Sequence, residues 1–265
     1  MDQSERGKRF EELHRGATFV IPNPWDAGTA RVLEALGFEA LATSSSAFAF
    51  TLGRPDGGAE LGEVVQHVER LVAATELPVS VDLENGYGAA PEQAARAIEA
   101  VAAVGAVGGS IEDWDGDEQR LYGPAEAAER IAAAAAAAMR LPFRFLLTAR
   151  AENHVRGNPD LDDTIARLQA YEAAGADVVF APGLRELDEI KAVAEATELP
   201  LNVLAVPSLS VEEIAAAGAQ RISVGGSLAW ATIEAMAEIA ARIRDDGELS
   251  ALRPGARVAR WLARD

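Results

Sequence analysis

The chain has 265 residues, enough for one large domain or two small ones, and its 49% hydrophobic and 25% charged residues are ordinary for a soluble globular protein. Twenty-four Lys and Arg face 42 Asp and Glu, and the net charge of −18 argues against nucleic acid or an anionic membrane as partner. The absence of cysteine excludes disulfides, thiolate metal sites and a cysteine nucleophile.

No window approaches 18 uninterrupted apolar residues, so no membrane span is expected. Met1 to Gly16 is highly charged and lacks the apolar centre of a secretory signal, which makes the cytoplasm the default compartment. A small anionic substrate gains nothing from the global field and needs a local cation, either a metal or an arginine.

The predicted elements alternate. Ser4 to His14 has helical spacing and ends at Gly16; Thr18 to Ile21 is a strand stopped by Pro22 and Pro24. Asp26 caps a helix from Ala27 to Leu36. Ala40 to Thr43 is the second strand, running into Ser44, Ser45 and Ser46 and a polar loop, Gly53 to Gly58, before the helix Glu63 to Thr75. Val79 to Asp82 is the third strand; Gly86 and Gly88 allow the sharp turn after it, and Pro91 starts the helix to Val104. Val107 to Ile111 delivers Glu112 and Asp113, and the loop Trp114 to Gly123 leads to the helix Pro124 to Arg140. Its seven successive alanines read as a bland scaffold helix. The strand Phe143 to Thr148 ends at Arg150. There follow the helix Leu161 to Ala174, the strand Asp177 to Phe180, the helix Leu187 to Thr197 and the strand Pro200 to Leu204. The helix Val211 to Ala217, the strand Arg221 to Val224, the helix Leu228 to Arg244 and a tail helix from about Arg253 to Arg264 complete the chain.

Eight strands, each followed by a helix, mean a parallel sheet with right-handed crossovers, and in a chain of this length they fit a closed (β/α)8 barrel. A doubly wound open sheet is the alternative. No linker is visible, so residues 1–265 read as a single domain with a C-terminal helical extension from about residue 228.

In such a barrel the site lies at the carboxyl ends of the strands. There the sequence places Asn23, Thr43 with the serine run, Asp82 and Glu84, Glu112 and Asp113, then Arg150 and Glu152, and Asn202. Asp82 and Glu84, two apart, can share a face, where two carboxylates repel unless protonated, solvated or neutralised by a cation. Taken alone the pair reads as a solvated acidic turn; the neighbouring strand ends change that. Oxygen ligands without Cys or strand-end His point to Mg²⁺ or Mn²⁺ rather than zinc. Magnesium takes one or two protein carboxylates and keeps waters, which the other acids hold.

Arg150 is either a fork for a substrate carboxylate or an ion-pair partner of Glu112 or Glu152, and the roles are compatible. The serines can donate hydroxyl and N–H groups to an oxyanion. His14 and His67 read as surface or packing residues and His154 as structural, while Trp114 is either a lid or a core anchor. Gly225-Gly226 is a weak phosphate-site hint.

Three segments carry a family resemblance: Asp82-Leu-Glu-Asn-Gly-Tyr-Gly88, which resembles D-A-D-T-G-[YF]-G, then Ser110-Ile-Glu-Asp113 and Thr148-Ala-Arg150. Gly53-Arg-Pro-Asp56 and Tyr171-Glu-Ala-Ala-Gly-Ala-Asp177 add to them. From about Gly16 to Ala231 the sequence resembles the isocitrate lyase / phosphoenolpyruvate mutase superfamily. The resemblance implies a Mg²⁺-dependent barrel that breaks or forms C–C or P–C bonds in small 2-oxo or 2-hydroxy acids through a pyruvate enolate. By position it makes Asp82 the direct metal ligand and Asp56, Glu84 and Glu112 the carboxylates holding its waters. Thr43, Ser44, Ser45, Gly86 and Arg150 become the candidate substrate-binding residues, and Arg150, Glu112 and Ser45 the candidate catalytic ones. It also implies a homo-oligomer, a dimer or a tetramer, in which the last barrel helices are exchanged between subunits.

The departures narrow the reaction. The lyases carry K-K-C-G-H on a mobile loop after the fourth strand, and the mutase a lysine and an asparagine there; Trp114 to Gly123 has none of these. Ala181-Pro182-Gly183 stands where the mutase has a histidine, and Glu84 replaces the second aspartate of the metal motif. The expected activity is therefore decarboxylation or hydrolytic cleavage of an oxaloacetate-like acid. The alternative is a non-catalytic member that binds a 2-oxo acid such as 2-oxoglutarate.

Overall fold

Short runs of β-branched and apolar residues between helices give strands that must be covered on both sides, and the chain meets this by closing them around an axis. The computed structural model describes residues 1–263. In chain order its elements are α1 (Gln3–Leu13), β1 (Phe19–Ile21), α2 (Ala27–Ala35), β2 (Leu41–Ala42), α3 (Ser45–Thr51), α4 (Leu61–Ala74) and β3 (Val79–Asp82). They continue with α5 (Pro91–Ala103), β4 (Gly108–Glu112), β5 (Trp114–Asp115), β6 (Arg120–Leu121), α6 (Pro124–Met139) and β7 (Leu146–Arg150). The rest are α7 (Leu161–Ala173), β8 (Val178–Phe180), α8 (Leu187–Ala196), β9 (Leu201–Leu204), α9 (Val211–Ala216), β10 (Arg221–Ser223), α10 (Ser227–Asp246) and α11 (Ala256–Leu262).

Eight strands form one parallel sheet in the order β1-β10-β9-β8-β7-β4-β3-β2, while β5 and β6 make a separate antiparallel hairpin. The fold is the (β/α)8 barrel expected from the alternation. At the seam between β1 and β2 the Ala42 N–H donates to the Pro22 carbonyl, 3.1 Å away. Asn23 reinforces it: its amide donates to the Thr43 carbonyl and its oxygen accepts from the N–H groups of Val224 and Gly225. One side chain thus ties the first, second and last barrel strands together. Gly225 is used here, in closing the barrel.

The main apolar core lies between the strands and the outer helices. A second cluster, led by Phe10 of α1 with Phe19, Ile21, Leu146 and Val178, plugs the amino-terminal end of the barrel. The alanine run of α6 packs against α5, and the small side chains allow a close approach. Asp26 caps α2 as the sequence predicts, accepting from Thr29 N–H. Two elements differ from the sequence reading. The segment after the serine run is a helix, α3, with Ser44 as its N-cap, and the loop after the fourth strand contains the β5–β6 hairpin. The tail helix is shorter than predicted, and Arg264, its expected end, lies outside the described residues. Helix α10 has one buried residue, Ala229. No helix among the described residues is long and apolar enough to cross a membrane.

Both helical histidines are packing residues. His67 stacks on Phe48 with ring centroids 4.1 Å apart, and burial pushes its pKa down to about 4. His14 sits edge-on between Phe10 and Phe19, and burial, aided by the charge of Arg221, pushes it down to about 3. Each is neutral when folded and titrates near 6.5 when unfolded, so the unfolded chain takes up the extra protons below that pH. The histidine contribution to stability is complete above pH 6.5 and is lost as pH falls toward 4, by up to about 1.4 kcal/mol per pH unit for each ring. Urea unfolding at pH 7, 6 and 5 should show this slope, and His67→Leu should remove roughly half of it. A stability unchanged between pH 7 and 5 would contradict the assignment.

Candidate functional site

Strand alternation sorts the acids at the barrel's carboxyl rim. On β4 the side chain of Glu112 points into the barrel and that of Asp113, the next residue, points out. Asp113 is buried, accepting from Arg167 Nη1 at 2.9 Å, from the Tyr171 hydroxyl at 2.6 Å and from the Glu152 N–H at 2.7 Å. That network pins the outer helix α7 to the rim; Asp113 stands apart from the cavity and is structural.

Asp82 ends β3. Its N–H donates to Thr43 Oγ1, while its carboxylate accepts from the N–H of Ser45 at 3.1 Å and of Glu84 at 3.2 Å. Ser45 and Glu84 therefore orient the carboxylate and Thr43 fixes the Asp82 backbone, while Ser44, which pairs with the Ser46 hydroxyl and caps α3, fixes the loop that carries Ser45. After Asp82 the backbone is forced into the left-handed region at Glu84 (φ 48), Gly86 (φ 87) and Tyr87 (φ 62), a concentration of strain characteristic of functional turns. Gly86 lies against α5, where a Cβ would fall 2.6 Å from the Ala94 Cα, so its place in the site is set by packing. Arg130 holds the turn from behind by donating to the carbonyls of Asn85, Gly88 and Ala89 while lying over the Tyr122 ring.

Arg150 ends β7 in register with Glu112 and Phe180. Its guanidinium lies 3.2 Å from Glu112, 3.7 Å from Asp82, against Glu152, and over the Phe180 ring. Burial alone would lower it, but the carboxylates of Glu112, Glu152 and Asp82 outweigh that and hold it above its ordinary value. The ion-pair role weighed from sequence is thus present in full. Arg156, absent from the sequence reading, adds a second cation: it binds Glu152, lies 3.8 Å from Glu112 and covers the Trp114 ring. Its spacing of four from Glu152 could have flagged it. Trp114, the lid-or-anchor residue, opens the hairpin and walls the cavity beneath Arg156. His154 packs against Gly183.

Five carboxylates, Asp56, Asp82, Glu84, Glu112 and Glu152, thus meet two guanidinium groups. Asp56 comes from the exposed loop before α4 and lines the same cavity, which measures about 740 Å³. Burial, then Asp82 and Asp56, push Glu84 up to about 8, and burial pushes Glu112 up against the pull of Arg150. Glu84 Oε1 and the Tyr87 hydroxyl are buried without a hydrogen-bond partner among the described residues. Surplus negative charge, oxygen-only donors and an orphaned carboxylate oxygen fit a hard divalent cation. Among the described residues no three Asp, Glu or His side chains converge to cage an ion. A cation here would therefore take one or two carboxylates and complete its shell with water.

Comparison with known proteins agrees with this chemistry. The phosphoenolpyruvate phosphomutase family model matches residues 10–244. The oxaloacetate decarboxylase of Rhodopseudomonas palustris (strain HaA2) is 34% identical over 262 residues, covering 95% of this chain and 86% of that protein. A Burkholderia cenocepacia J2315 protein, provisionally named a lyase/mutase, is 50% identical, and its crystal structure matches with a TM-score of 0.95 over 99% of this chain and 97% of its own. A phosphonopyruvate hydrolase solved with oxalate and Mg²⁺ is 26% identical, with a TM-score of 0.86 over 99% and 95%. The chain belongs to the phosphoenolpyruvate mutase family, within the isocitrate lyase / phosphoenolpyruvate mutase superfamily.

The two kinds of acid should separate in stability measurements. Asp113→Ala strands a buried arginine and tyrosine and should cost about 3–5 kcal/mol. Asp82→Ala, measured in EDTA, relieves repulsion at the rim and should change stability by less than about 1 kcal/mol. Equal losses in guanidinium unfolding would mean that both acids are structural.

Proposed function

We propose that this member of the phosphoenolpyruvate mutase family is a Mg²⁺-dependent lyase of decarboxylase or hydrolase type. Its substrate is a small 2-oxo dicarboxylic acid of oxaloacetate size, cleaved beside the carbonyl through an enolate. The reading is carried by the surplus of carboxylates at the rim, with Glu84 Oε1 unpartnered among them. It is supported by a relative named for oxaloacetate decarboxylation and another solved with oxalate and Mg²⁺. Mn²⁺ fits the same donors.

Asp82 is the direct ligand in this reading, held in orientation by the N–H groups of Ser45 and Glu84. Glu84, Glu112 and Asp56 are the acids that would hold the ion through its waters. When bound, the ion supplies Lewis-acid charge to the substrate's carboxylate and keto oxygens. The chain's own residues do the rest. Arg150, fixed among Glu112, Glu152 and Asp82, turns its free N–H groups to a substrate carboxylate and sets the angle of the scissile bond. The Thr43–Ser46 turn lines the side on which enolate charge develops, and the hydroxyls of Ser45 and Ser46 can donate to it. Water serves as proton donor, because the hairpin carries neither the lysine nor the cysteine of the superfamily loop and its tip, Gly116 to Arg120, is exposed.

The same open hairpin favours a second reading, a binder that holds a 2-oxo acid without turning it over, since such chemistry ordinarily needs water excluded. The assembly belongs to the proposal as well. Helix α10, with Ala229 alone buried and Met236 61% exposed, extends the domain and packs on a neighbouring subunit in a homo-oligomer.

Calorimetric titration of oxalate with and without Mg²⁺, on wild type and Asp82→Ala, tests the site. Binding that needs both the ion and Asp82, weakened at least tenfold without either, supports it; no metal-dependent binding in the wild type removes the assignment. Incubation with oxaloacetate then divides the two readings by whether an EDTA-sensitive product forms. Light scattering should give a dimer or tetramer, and a monomer would refute the packing of α10.

A further inference from the structure

Below the rim, the barrel interior holds a cation that the reaction outlined above does not use. Arg221 opens β10 and faces the axis, 5% exposed. Its Nε donates to Asn202 Oδ1 at 2.7 Å, Nη1 to His14 Nε2 at 3.2 Å and Nη2 to Thr148 Oγ1 at 3.0 Å. A guanidinium only donates, so His14 Nε2 must accept; the ring proton is then on Nδ1, which donates to the Phe10 carbonyl at 2.7 Å. All three partners are neutral. Among the described residues no carboxylate reaches Arg221, whereas Arg150, Arg156 and Arg167 each have at least one within 4 Å. Burial pushes Arg221 down to about 9 with no acidic neighbour to offset it.

A buried charge left unpaired costs several kcal/mol, and proteins ordinarily supply a counter-charge. Here one can come from the cavity above. A space of about 190 Å³ runs from Asp82 and Arg150 at the rim down to Arg221, and the hydroxyls of Ser80, Ser110 and Ser223 line it. Five N–H groups are available on the guanidinium and three are spent on the neutral partners, which leaves two. Hydroxyls can turn to donate, and among the described residues no carboxylate forms an ion pair with Arg221.

We propose that the floor of this cavity is an anion subsite, in which Arg221 with the hydroxyls of Ser80, Ser110 and Ser223 takes a small carboxylate or halide inside the barrel. The ligand is either a free ion from solution or the far carboxylate of an acid whose other end lies at the rim. Thr148 and Arg150 share a strand face two residues apart, roughly 7 Å, a distance that a short dicarboxylate can bridge. The subsite rests on Arg221 alone and stands whether or not the rim takes magnesium.

The test is thermal unfolding in EDTA, with a bulky sulfonate as the only other anion and formate, chloride or succinate added in turn. Wild type should gain about 5 °C at saturation, and with formate or chloride Asp82→Ala should gain at least as much, which separates this subsite from a metal at the rim. Arg221→Met should gain nothing. Equal effects of formate and chloride identify a free ion; an effect of succinate alone identifies a carboxylate spanning to the rim. Should Arg221→Met not fold, crystals of wild type soaked in bromide give a second measurement, with an anomalous peak within hydrogen-bond reach of the guanidinium expected. An equal response of wild type and Arg221→Met, or no bromide at Arg221 together with no response of the wild type to succinate, overturns the proposal.

Discussion

The guanidinium of Arg150 is the contact on which the rim depends. It meets carboxylates from β3, β4 and the loop after β7, which strand pairing brings side by side and which would otherwise repel one another. Removing it would leave Glu112 and Glu152, both buried, facing each other with only Arg156 between them. An uncompensated buried charge of that kind costs about 3–5 kcal/mol. Even with Arg150 in place the acids outnumber the cations, and burial with like-charge repulsion keeps Glu84 well above the ordinary carboxylate range. The rim thus carries more acid than its own arginines offset, which is the electrostatic ground for the proposed cation.

The rest of the barrel supports that arrangement mechanically. Asn23 closes the seam between β1 and β2 and ties both to the end of β10, so the rim cannot splay at its weakest pairing. Arg130 holds the Asn85–Ala89 carbonyls and so maintains the left-handed backbone that turns Glu84 inward. Asp113 anchors α7 beneath Glu152 and fixes the height of the acid that grips Arg150. Each is a largely buried polar group held by several hydrogen bonds, and each acts on the position of a rim carboxylate rather than on chemistry.

Much of this was legible in the sequence because it depends on local periodicity. Strand–helix alternation, Asp26 as a cap, Pro91 and Pro124 as helix starts, and the strand-end placement of Asp82, Glu112 and Arg150 all follow from residues within one turn or one strand of each other. Helix α3 was hidden because Ser44, Ser45 and Ser46 carry equal weight as loop residues and as an N-cap, and only packing of Ala47 to Ala49 decides between them. The split between Glu112 and Asp113 is local, but which of the two points inward is fixed by where β4 ends. The partners of Arg221 were not legible at all. His14, Thr148 and Asn202 meet it through the register of four segments, and no spacing along the chain encodes that. A trace remains in the strand itself, where Arg221 and Ser223 alternate with Ile222 and Val224, polar toward the axis and apolar toward the helices.

The net charge of −18 and the affinity for an acid expected of this site are reconciled by distance. Surface charges act on an approaching anion through water and salt, where the field fades beyond about 8–10 Å at physiological ionic strength. The arginines that face the cavities act at a few ångströms from within the barrel wall, where screening is weak. The global charge therefore slows the encounter, in proportion to how little salt is present, and leaves dissociation almost untouched. On the proposals above, retention falls to Arg150 and Arg156 at the rim and to Arg221 at the floor, with acids crowding the first two and no ion-pair partner for the third among the described residues. The rim's positive charge is largely spent before a ligand arrives. If the floor subsite proposed above holds an anion, that asymmetry is the physical reason it would gain more there than at the rim arginines.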